Sequence, residues 1–250
     1  CKYFLDVRDI FSETISDLFL RKNKILGEVS KFIFTFLEKR LFNSATGVNV
    51  VSEAFLEYFR KEGVNTSEWT FFPNGIDKEF QGLKLSKQSV IKTNRTILYV
   101  GNIGSGQALE SILPDVAKKL GDCYRFLVVG DGGMRTALCK AIKDKNIHNI
   151  KILPPVKRDE LIGYYQEADI LFLHLNDIPA FRRVLPSKIF EYVTFRKPII
   201  AGIKGYSAKF MRDNAPHAIV FDPGNVNQCV SSIRKGQSLG VDSNQTDIFI

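Results

Sequence analysis

From residue 95 onward, short continuous apolar runs alternate with longer segments in which apolar residues recur at helical spacing. The apolar runs predict strands at residues 96–100, 126–129, 150–153, 170–175, 198–201 and 218–221. The periodic segments predict helices at residues 109–120, 134–145, 159–166 and 187–193. Continuous apolar strands separated by helices indicate a parallel sheet that is covered on both faces. In such open sheets, ligands bind beyond the carboxyl ends of the strands.

The first part of the chain has fewer predicted strands. They fall at residues 3–7, 47–51 and 70–72, and Ser52 is a residue type that caps a helix such as the one predicted at residues 53–61. Residues 18–42 predict one or two helices in which Phe and Leu are interleaved with Lys and Arg. Such a helix suits either an anionic bilayer surface or a protein core with one solvated face. The polar stretch 84–94 divides the chain into domains at residues 1–83 and 95–250.

Composition and charge narrow the class of protein. The 250 residues are 44% apolar and include 20 Phe, which excludes a disordered chain. The 4 Cys, at positions 1, 123, 139 and 229, suit neither a disulfide scaffold nor a C-x-x-C site, and we expect buried free thiols in a reducing compartment. No apolar run reaches the ~18 residues of a membrane span. The net charge of +8 favours an anionic partner, whether nucleic acid, a membrane surface or a phosphorylated ligand.

Two glycine-rich segments each follow a predicted strand. They are Gly101-Asn102-Ile103-Gly104-Ser105-Gly106 and Gly130-Asp131-Gly132-Gly133. Glycines let the backbone approach a ligand closely, and the N-terminus of a following helix favours phosphate. The first spacing, G-x-x-G-x-G, matches neither the dinucleotide fingerprint nor the P-loop. Each segment is therefore either a phosphate loop or a tight turn, and both fall at the same edge of the sheet.

The segment from Arg182 to Tyr192 places a cation and an acid on one helical face. Lys188 and Glu191 are three residues apart, and Pro186 suits the first turn of the helix. A cation near a helix start is unfavourable with the helix dipole unless an anion also lies there. The pair matches a nucleotide sugar, whose phosphate would meet the lysine and whose ribose hydroxyls would meet the glutamate. The alternative is a surface ion pair between the two residues.

The other polar groups indicate chemistry less directly. Asp6-Val7-Arg8-Asp9 is a charged cluster at the end of the first predicted strand, and it is either catalytic or a solvated loop. The sequence contains no D-x-D and no G-x-S-x-G, and His148, His174 and His217 lack metal-ligand spacing. We therefore expect no metal site.

Taken together, these segments resemble the retaining nucleotide-sugar glycosyltransferases of family 4, which have the GT-B fold. The similarity covers nearly the whole chain and is carried by Val50-Val51-Ser52-Glu53, Phe72-Pro73-Asn74-Gly75-Ile76-Asp77, Leu98-Tyr99-Val100-Gly101-Asn102-Ile103-Gly104, Val129-Gly130-Asp131-Gly132, Leu185-Pro186-Ser187-Lys188-Ile189-Phe190-Glu191-Tyr192 and Lys197-Pro198-Ile199-Ile200-Ala201. The resemblance implies an α/β fold with a doubly wound, Rossmann-like donor domain at residues 95–250. Residues 1–83 would be the C-terminal part of a second Rossmann-like domain, on the acceptor side, and residues 84–94 the linker.

Three segments resemble the branch of that family that builds bacterial surface polysaccharides. Asp6-Val7-Arg8-Asp9 is similar to the branch's D-[VL]-R-D-x-[WF] segment. Pro179-Ala180-Phe181-Arg182 and Gly205-Tyr206-Ser207-Ala208 are similar to an O-antigen subgroup that includes N-acetyl-L-fucosamine transferases. Members of the family run to twice the ~150 residues of a typical domain. The resemblance therefore implies that this chain is a fragment that lacks most of the acceptor domain and the terminal helix.

The resemblance also assigns roles to individual residues. The leaving pyrophosphate would be stabilised by the Gly104 N–H, Arg182 and Lys188, and Glu191 would hold the ribose. The other donor-binding positions are Gly101, Asn102, Gly130, Val156, Lys157, Leu185, Pro186 and Ser187, with Val156 and Lys157 where the family holds the base. Asp9 and Arg8 would face the cleft from the acceptor side. The candidate catalytic residues are therefore Arg8, Asp9, Arg182 and Lys188.

Three positions depart from the family's pattern. Many members carry Glu-x7-Glu, but Arg183 stands where the first of these glutamates would precede Glu191, so the usual contact with the donor sugar is absent or replaced. Ser105-Gly106-Gln107 stands where a basic pair usually follows the phosphate loop. Arg196 occupies a position that is often glycine.

The implied function is transfer of a sugar, with retention, from a nucleotide-diphosphate sugar to a lipid-linked saccharide acceptor in O-antigen or capsule biosynthesis. The expected partners are the nucleotide sugar, the acceptor and an anionic membrane contacted peripherally, with no nucleic acid, no cofactor and no metal. The expected location is the cytoplasm, at the inner face of the cytoplasmic membrane. Two alternatives stay open: a non-catalytic nucleotide-sugar binding domain and a nucleotide-sugar epimerase of related fold.

Overall fold

A computed structural model describes residues 2–13, 15, 24–76, 80 and 94–237. The chain divides into two compact units that are not continuous in sequence. The first unit comprises Cys1–Asn74, Ile178–Pro186 and Gly205–Ser207, and the second comprises Gly75–Asp177, Ser187–Lys204 and Ala208–Ile250. Two short stretches of the C-terminal half thus belong to the first unit, which no sequence pattern indicates. The predicted linker at residues 84–94 lies almost wholly outside the described residues, and the predicted domain boundary stays a prediction.

The first unit contains a three-stranded parallel sheet in the order β1-β2-β3. In the described residues its strands are β1 Phe4–Val7, β2 Gly47–Val50 and β3 Thr70–Phe71, and its longest helices are α1 Lys24–Ser44 and α2 Glu53–Lys61. Helix α2 buries an apolar stripe at helical spacing against the sheet. The resulting core consists of Val7, Ile10, Phe42, Val48, Val50, Val51, Phe55, Tyr58, Phe59 and Val64.

Helix α1 leaves a row of large apolar side chains exposed. They are Ile25, Leu26, Val29, Phe32, Ile33, Phe36, Leu37 and Leu41. Lys24, Lys31 and Lys39 lie on the same helix. The helix predicted within residues 18–42 is confirmed from residue 24, and residues 16–23 lie outside the described part of the chain.

The second unit contains a six-stranded, wholly parallel sheet in the order β6-β5-β4-β7-β8-β9. Its strands are β4 Arg95–Val100, β5 Tyr124–Val129, β6 Ile150–Leu153, β7 Ile170–His174, β8 Ile199–Gly202 and β9 Ala218–Phe221. Leu98 pairs with Leu127 on one side and with Leu171 on the other. The strand order therefore reverses between β4 and β7, and such a reversal point is where open α/β sheets bind ligands.

Six helices of the second half connect or flank these strands in the described residues. They are α3 Leu109–Leu120, α4 Arg135–Asp144, α5 Arg158–Glu167, α6 Lys188–Thr194, α7 Tyr206–Asn214 and α8 Val226–Gly236. Every strand and helix predicted after residue 95 is present, with ends shifted by at most two residues. The sequence did not predict α7 and α8, because small or polar residues such as Ser207, Ala208 and Ser232 form part of their buried faces.

The expectation of buried thiols is wrong for two cysteines and confirmed for one. Cys229 is buried, whereas Cys123 and Cys139 are exposed. Leu138, and not its neighbour Cys139, is the residue that α4 buries, and Cys123 lies in the turn before β5. Cys1 lies outside the described residues.

Candidate functional site

The two glycine-rich loops lie side by side at the carboxyl ends of β4 and β5. The Gly101 N–H donates to the carbonyl of Val129 at 3.0 Å, and the Ile103 N–H donates to that of Asp131 at 2.8 Å. A Cβ on Gly130 would lie 1.9 Å from the carbonyl oxygen of Gly101, so no other residue fits without moving the backbone. The prediction that both loops share one edge of the sheet is confirmed.

The loop after β4 also reaches the chain that follows β7. The Asn176 N–H donates to the Gly106 carbonyl at 2.7 Å, and the Asn176 side-chain amide donates to the Ser105 carbonyl at 3.2 Å. These bonds cross the point where the strand order reverses. The Gly101–Gly106 loop is therefore fixed at the place where the topology predicts a ligand.

Gln107 occupies the interior of this loop. Its side-chain oxygen accepts from the Gly104 N–H at 3.2 Å and from the Asn102 amide at 3.3 Å. The Gly104 N–H that the sequence assigned to phosphate is thus bonded to a side-chain oxygen of its own loop. In the sequence, Gln107 was noted only as a departure from the basic residue that the family pattern has. Its position three residues after Gly104 was the one feature that could have indicated this hydrogen bond within the loop.

His174, at the end of β7, fixes the backbone of Gln107. Its Nδ1 lies 2.7 Å from the Gln107 carbonyl oxygen, and its Nε2 accepts from the Gly224 N–H at 3.0 Å. These partners require a neutral ring with the proton on Nδ1. Burial lowers the pKa of His174, which favours the same neutral form. The sequence treated this histidine as lacking metal-ligand spacing and did not indicate its role in the loop.

Helix α6 is held against the sheet by Tyr192. The Tyr192 hydroxyl accepts from the Val100 N–H at 3.1 Å and donates to the Phe172 carbonyl at 3.2 Å. Because Val100 ends β4 and Phe172 belongs to β7, this one buried side chain ties α6 to both strands at the reversal point. Lys188, one helical turn before Tyr192, is thereby held at the same end of the sheet.

Lys188 and Glu191 form an ion pair on α6. The Lys188 Nζ lies 3.0 Å from Oε1 and 2.8 Å from Oε2 of Glu191, and the Tyr165 hydroxyl donates to Oε2 at 2.9 Å. The side chains are 26% and 12% exposed, so the ion pair of the alternative hypothesis is present, but it is half-buried and not fully solvated. A Cβ on Gly101 would lie 3.8 Å from Cε of Lys188, which places the lysine against the glycine loop.

Tyr165 is set to act as a donor toward Glu191. Burial raises its pKa, and the neighbouring Tyr192 and Glu191 raise it further. The hydroxyl therefore stays protonated and holds the carboxylate in one orientation. The sequence gave no indication of this tyrosine, which lies on α5 and is fully buried.

The remaining predicted residues of the second unit lie in loops or at helix ends. Val156 is half-buried in the loop after β6, and Lys157 is exposed at the start of α5. Ser187 is exposed and precedes α6. Val156 and Lys157 follow the carboxyl end of a sheet strand, which is the side of the sheet that the prediction requires.

In the first unit, the charged cluster after β1 is internally paired. The Arg8 guanidinium donates to Asp6 at 2.9 Å, and the Asn49 amide donates to the same carboxylate at 2.8 Å. The hydrogen bonds from Asn49 and Arg8 lower the pKa of Asp6. Loss of solvent around the Asp9 carboxyl raises the pKa of Asp9. Of the two candidates here, Arg8 is engaged by Asp6, whereas Asp9 has the perturbed pKa that functional carboxyls often show.

The stretch Ile178–Pro186 of the first unit carries the other three candidates. The Arg182 side chain is exposed, Leu185 is buried and Pro186 is half-buried. Ser52 lies at the N-cap position of α2, but its hydroxyl donates to the Arg183 carbonyl at 2.5 Å and makes no capping bond. The predicted N-cap position of Ser52 is therefore confirmed, but the capping hydrogen bond is absent because a carbonyl of this stretch accepts from the hydroxyl instead.

No described helix is both long enough and apolar enough to cross a bilayer. No group of three or more His, Cys, Asp or Glu side chains converges in the described part of the chain as a metal ion would need.

Solved structures similar to this chain establish its fold class. Anabaena Alr3699/HepE, solved in complex with UDP and glucose, superposes with a TM-score of 0.69 at 17% sequence identity. The match covers 94% of this chain and 61% of the HepE chain. WaaG, a glycosyltransferase involved in lipopolysaccharide biosynthesis, has a TM-score of 0.68 at 16% identity, covering 94% of this chain and 66% of its own. The predicted α/β fold of GT-B type, with parallel sheets in Rossmann-like domains, is thereby confirmed.

The family follows from the sequence. The model of the glycosyl transferases group 1 matches residues 83–239, and the chain belongs to this family. WcaI of Escherichia coli (strain K12), named for colanic acid biosynthesis, is 25% identical over 219 residues, which are 84% of this chain and 53% of WcaI. The 2-deoxystreptamine N-acetyl-D-glucosaminyltransferase of Niallia circulans is 27% identical over 135 residues, or 53% of this chain and 33% of its own. The chain thus spans about half the length of WcaI and one third of the second relative.

Proposed function

We propose that the protein is a glycosyltransferase that moves a sugar from a nucleotide-diphosphate sugar to a lipid-linked saccharide acceptor, with retention, in surface-polysaccharide biosynthesis. The observation that carries this proposal is the half-buried Lys188–Glu191 pair beside Gly101, at the strand reversal point and inside the region that matches the family. The names of WcaI and WaaG, and the UDP and glucose in the HepE structure, support it. An O-antigen or capsule pathway, with a donor such as a nucleotide-linked N-acetyl-L-fucosamine, is the finer form of the same proposal.

Glu191 retains an acceptor site for ribose. A carboxylate offers about four acceptor positions, and an ammonium group offers three donors. Lys188 and Tyr165 make three bonds to Glu191 in the described residues, which leaves one position on Oε1. The lysine likewise keeps one N–H beyond its two bonds to Glu191, and that N–H would meet the phosphate. The pair itself would thus bind both parts of the donor.

The glycine loops would hold the pyrophosphate. A phosphate oxygen would replace the Gln107 carboxamide oxygen at the Gly104 N–H, and Arg182 with Lys188 would supply the cations that stabilise the leaving group. These cations make a metal or cofactor unnecessary in the proposal. The other proposed donor-binding positions are Gly101, Asn102, Gly130, Val156, Lys157, Leu185, Pro186 and Ser187. Asp9 and Arg8 are proposed to orient the acceptor or the donor sugar.

The apolar row of α1 supports a membrane-surface location. Its large exposed side chains alternate with lysines, which is the composition of helices that lie in an anionic membrane interface. A lipid-linked acceptor is found at such a surface. We therefore place the proposed reaction at the inner face of the cytoplasmic membrane.

Calorimetry with UDP and uridine tests the donor site. Glu191→Ala removes bonds to ribose, so the affinity for both compounds should fall about tenfold or more, since hydrogen bonds to charged groups contribute about 1.5–3 kcal/mol. Lys188→Ala should weaken UDP far more than uridine. Lys145→Ala breaks an ion pair with Asp115 in the same unit, away from the glycine loops, and should leave both affinities unchanged. Unchanged affinities in folded Glu191→Ala and Lys188→Ala variants would contradict the proposed site.

Product analysis separates the proposed reaction from its alternatives. A screen of nucleotide sugars for thermal stabilisation selects the donor, and the protein is then incubated with it in the presence and absence of lipid-linked acceptor. Release of nucleotide only with acceptor supports the transferase. An isomerised donor without acceptor would indicate the epimerase, and binding without either product would indicate the binding domain.

A further inference from the structure

The stretch Ile178–Pro186 belongs to the first unit, although β7 and α6 on either side of it belong to the second. The chain enters the first unit at Ile178 and leaves it at Pro186. Arg182, which the proposed function uses as a cation, lies within the stretch. Its position therefore depends on what holds these nine residues to the first unit.

Within the first unit, Arg183 forms an ion pair with Glu13. One guanidinium nitrogen of Arg183 lies 2.6 Å from Oε1 and 2.5 Å from Oε2 of Glu13, and Glu13 is buried. The guanidinium carbon also lies 4.9 Å from the centroid of the Tyr58 ring, within the range of a cation–π contact. A buried carboxylate that loses its cation is far more costly than a solvated one, so this pair constrains the stretch more than a surface pair would.

The backbone on either side of Arg183 is held as well. The Ser52 hydroxyl donates to the Arg183 carbonyl, and Ser52 is fully buried. Gly205 has φ +69, and a Cβ there would lie 2.0 Å from the Arg182 carbonyl oxygen. The Tyr206 hydroxyl donates to Glu53 at 3.1 Å, which fixes the chain that follows Gly205. The carbonyl groups of Arg182 and Arg183 are thus both contacted by other segments of the first unit, at Gly205 and at Ser52.

We propose that Arg183 is a positioning residue, whose ion pair with Glu13 holds Ile178–Pro186 in the first unit and thereby sets the place of Arg182 during sugar transfer. The inference rests on the proposed function. Arg183 stands where the family's pattern has a glutamate, but a guanidinium accepts no hydrogen bonds, and the Nη1 of this one donates to Glu13. It therefore does not replace the glutamate as an acceptor, and its role is to hold the stretch that carries it.

Limited trypsin digestion of the Glu13→Gln variant tests the tether without any substrate. Cleavage after Arg182, mapped by mass spectrometry, should accelerate about tenfold, since Glu13→Gln removes the carboxylate that holds the 34% exposed Arg183 side chain to the first unit. Cleavage after Arg60, in α2 of the same unit, should change little. The matched control is Glu62→Gln, which makes the same substitution in the first unit at a more exposed pair with Lys39, 3.6 Å apart, and should leave cleavage after Arg182 unchanged. Equal acceleration at Arg182 and Arg60, or none at either, overturns the tether.

Kinetics test the positioning role. Glu13→Gln and Arg183→Gln should each bind UDP within about twofold of the wild type but turn over the donor selected by the screen about tenfold more slowly. Arg183→Lys keeps the charge and should retain more turnover than Arg183→Gln. The double variant should lose less than the product of the two single losses, because both substitutions break the same ion pair.

Other kinetic outcomes overturn the proposal. A loss of UDP affinity that matches the loss of turnover would make Arg183 part of the nucleotide site, and multiplicative losses in the double variant would show that the two residues act separately. A wild-type protein that neither binds UDP nor transfers sugar defeats the proposed function instead. In that case the trypsin digestion alone decides whether the pair holds the stretch.

Discussion

Helices α1 and α3 have the same kind of apolar periodicity and opposite surroundings. In α3, Leu109, Ile112 and Leu113 are fully buried under the six-stranded sheet. In α1, Phe32 is 77% exposed and the apolar side chains before and after it are exposed as well. Spacing therefore determines that a helix has an apolar face, whereas the elements packed around it determine whether protein covers that face.

The comparison extends to the units that contain the two helices. In the part of the chain that the structure describes, the second unit has six strands and a continuous core that includes residues of both the sheet and α3. The described part of the first unit has three strands, and its core includes Phe42 near the end of α1 but none of the exposed row. Apolar residues of the same types thus stabilise the fold in α3 and form an exposed surface in α1.

Truncating one apolar residue in each helix should have very different effects on stability. Leu113→Ala should lower the free energy of unfolding of the second unit by about 2–5 kcal/mol, because it leaves a cavity in a packed core. Phe32→Ala should change that of the first unit by less than about 0.5 kcal/mol, as for other surface substitutions. Native-state hydrogen exchange in β4 and β5 reports on the second unit, and fluorescence of Trp69, the sole tryptophan, reports on the first. A large effect of Phe32→Ala would show that protein covers α1.

Removing aromatic side chains from α1 should weaken attachment to membranes. The Phe32→Ser and Phe36→Ser double variant should bind vesicles with anionic lipid at least about tenfold more weakly, because each buried Phe contributes about 1.5–3 kcal/mol. Wild-type binding should also weaken as salt rises, since the lysines attract the anionic surface. Phe72→Ser removes an equally accessible Phe outside α1 and serves as the control. Equal losses in the control and the double variant would argue against a specific membrane face.

The second unit should be sensitive to a single added methyl group at the glycine loops. Gly130→Ala should destabilise it by about 1–3 kcal/mol and abolish UDP binding, because the new Cβ would meet the Gly101 carbonyl oxygen. Gly133→Ala lies in the same loop, where an added Cβ meets nothing within 4 Å. It should leave stability and binding close to the wild type. Calorimetry with UDP and hydrogen exchange measure both effects, and similar behaviour of the two variants would refute the close approach of the loops.

The sequence predicted the second unit more completely than the first, for reasons that are physical. Its strands are continuous apolar runs between glycine loops, and a parallel sheet follows from that order. The pairing of Lys188 with Glu191 followed from helical spacing, but the contribution of Tyr165 did not, because α5 and α6 meet only in the folded chain. Long-range contacts such as Glu13 with Arg183, and the recruitment of Ile178–Pro186 into the first unit, leave no local pattern in the sequence.

The second unit should become less stable as the pH falls below 6.5, which is the ordinary pKa of a histidine side chain. Burial lowers the pKa of His174 from 6.5, so the unfolded chain takes up a proton before the folded one does. The stabilisation is full above pH 6.5 and is lost as the pH falls toward the folded pKa. Uptake of one proton on unfolding changes the free energy of unfolding by about 1.4 kcal/mol per pH unit. His174→Phe should therefore reduce the slope by less than this amount. A slope should remain, because burial also lowers the pKa of His217. Exchange rates in β4 measured between pH 5 and 8 give the slopes, and identical slopes would contradict a buried neutral His174.

The smallest expected effect concerns the backbone of Arg196, at a position where the family's pattern often has glycine. Arg196 has φ +49, a left-handed conformation that costs a residue with a Cβ about 1–2 kcal/mol. Glycine avoids this cost but gains freedom in the unfolded chain, so Arg196→Gly should be more stable than Arg196→Ala by less than about 1 kcal/mol. Comparing glycine with alanine removes the contribution of the arginine side chain, since both variants lack it. The gain should appear in hydrogen exchange of β8, which begins at Ile199, while Trp69 fluorescence in the first unit stays unchanged. Equal stability of the two variants would show that the turn relaxes out of the left-handed region, and the preference for glycine would then need another cause.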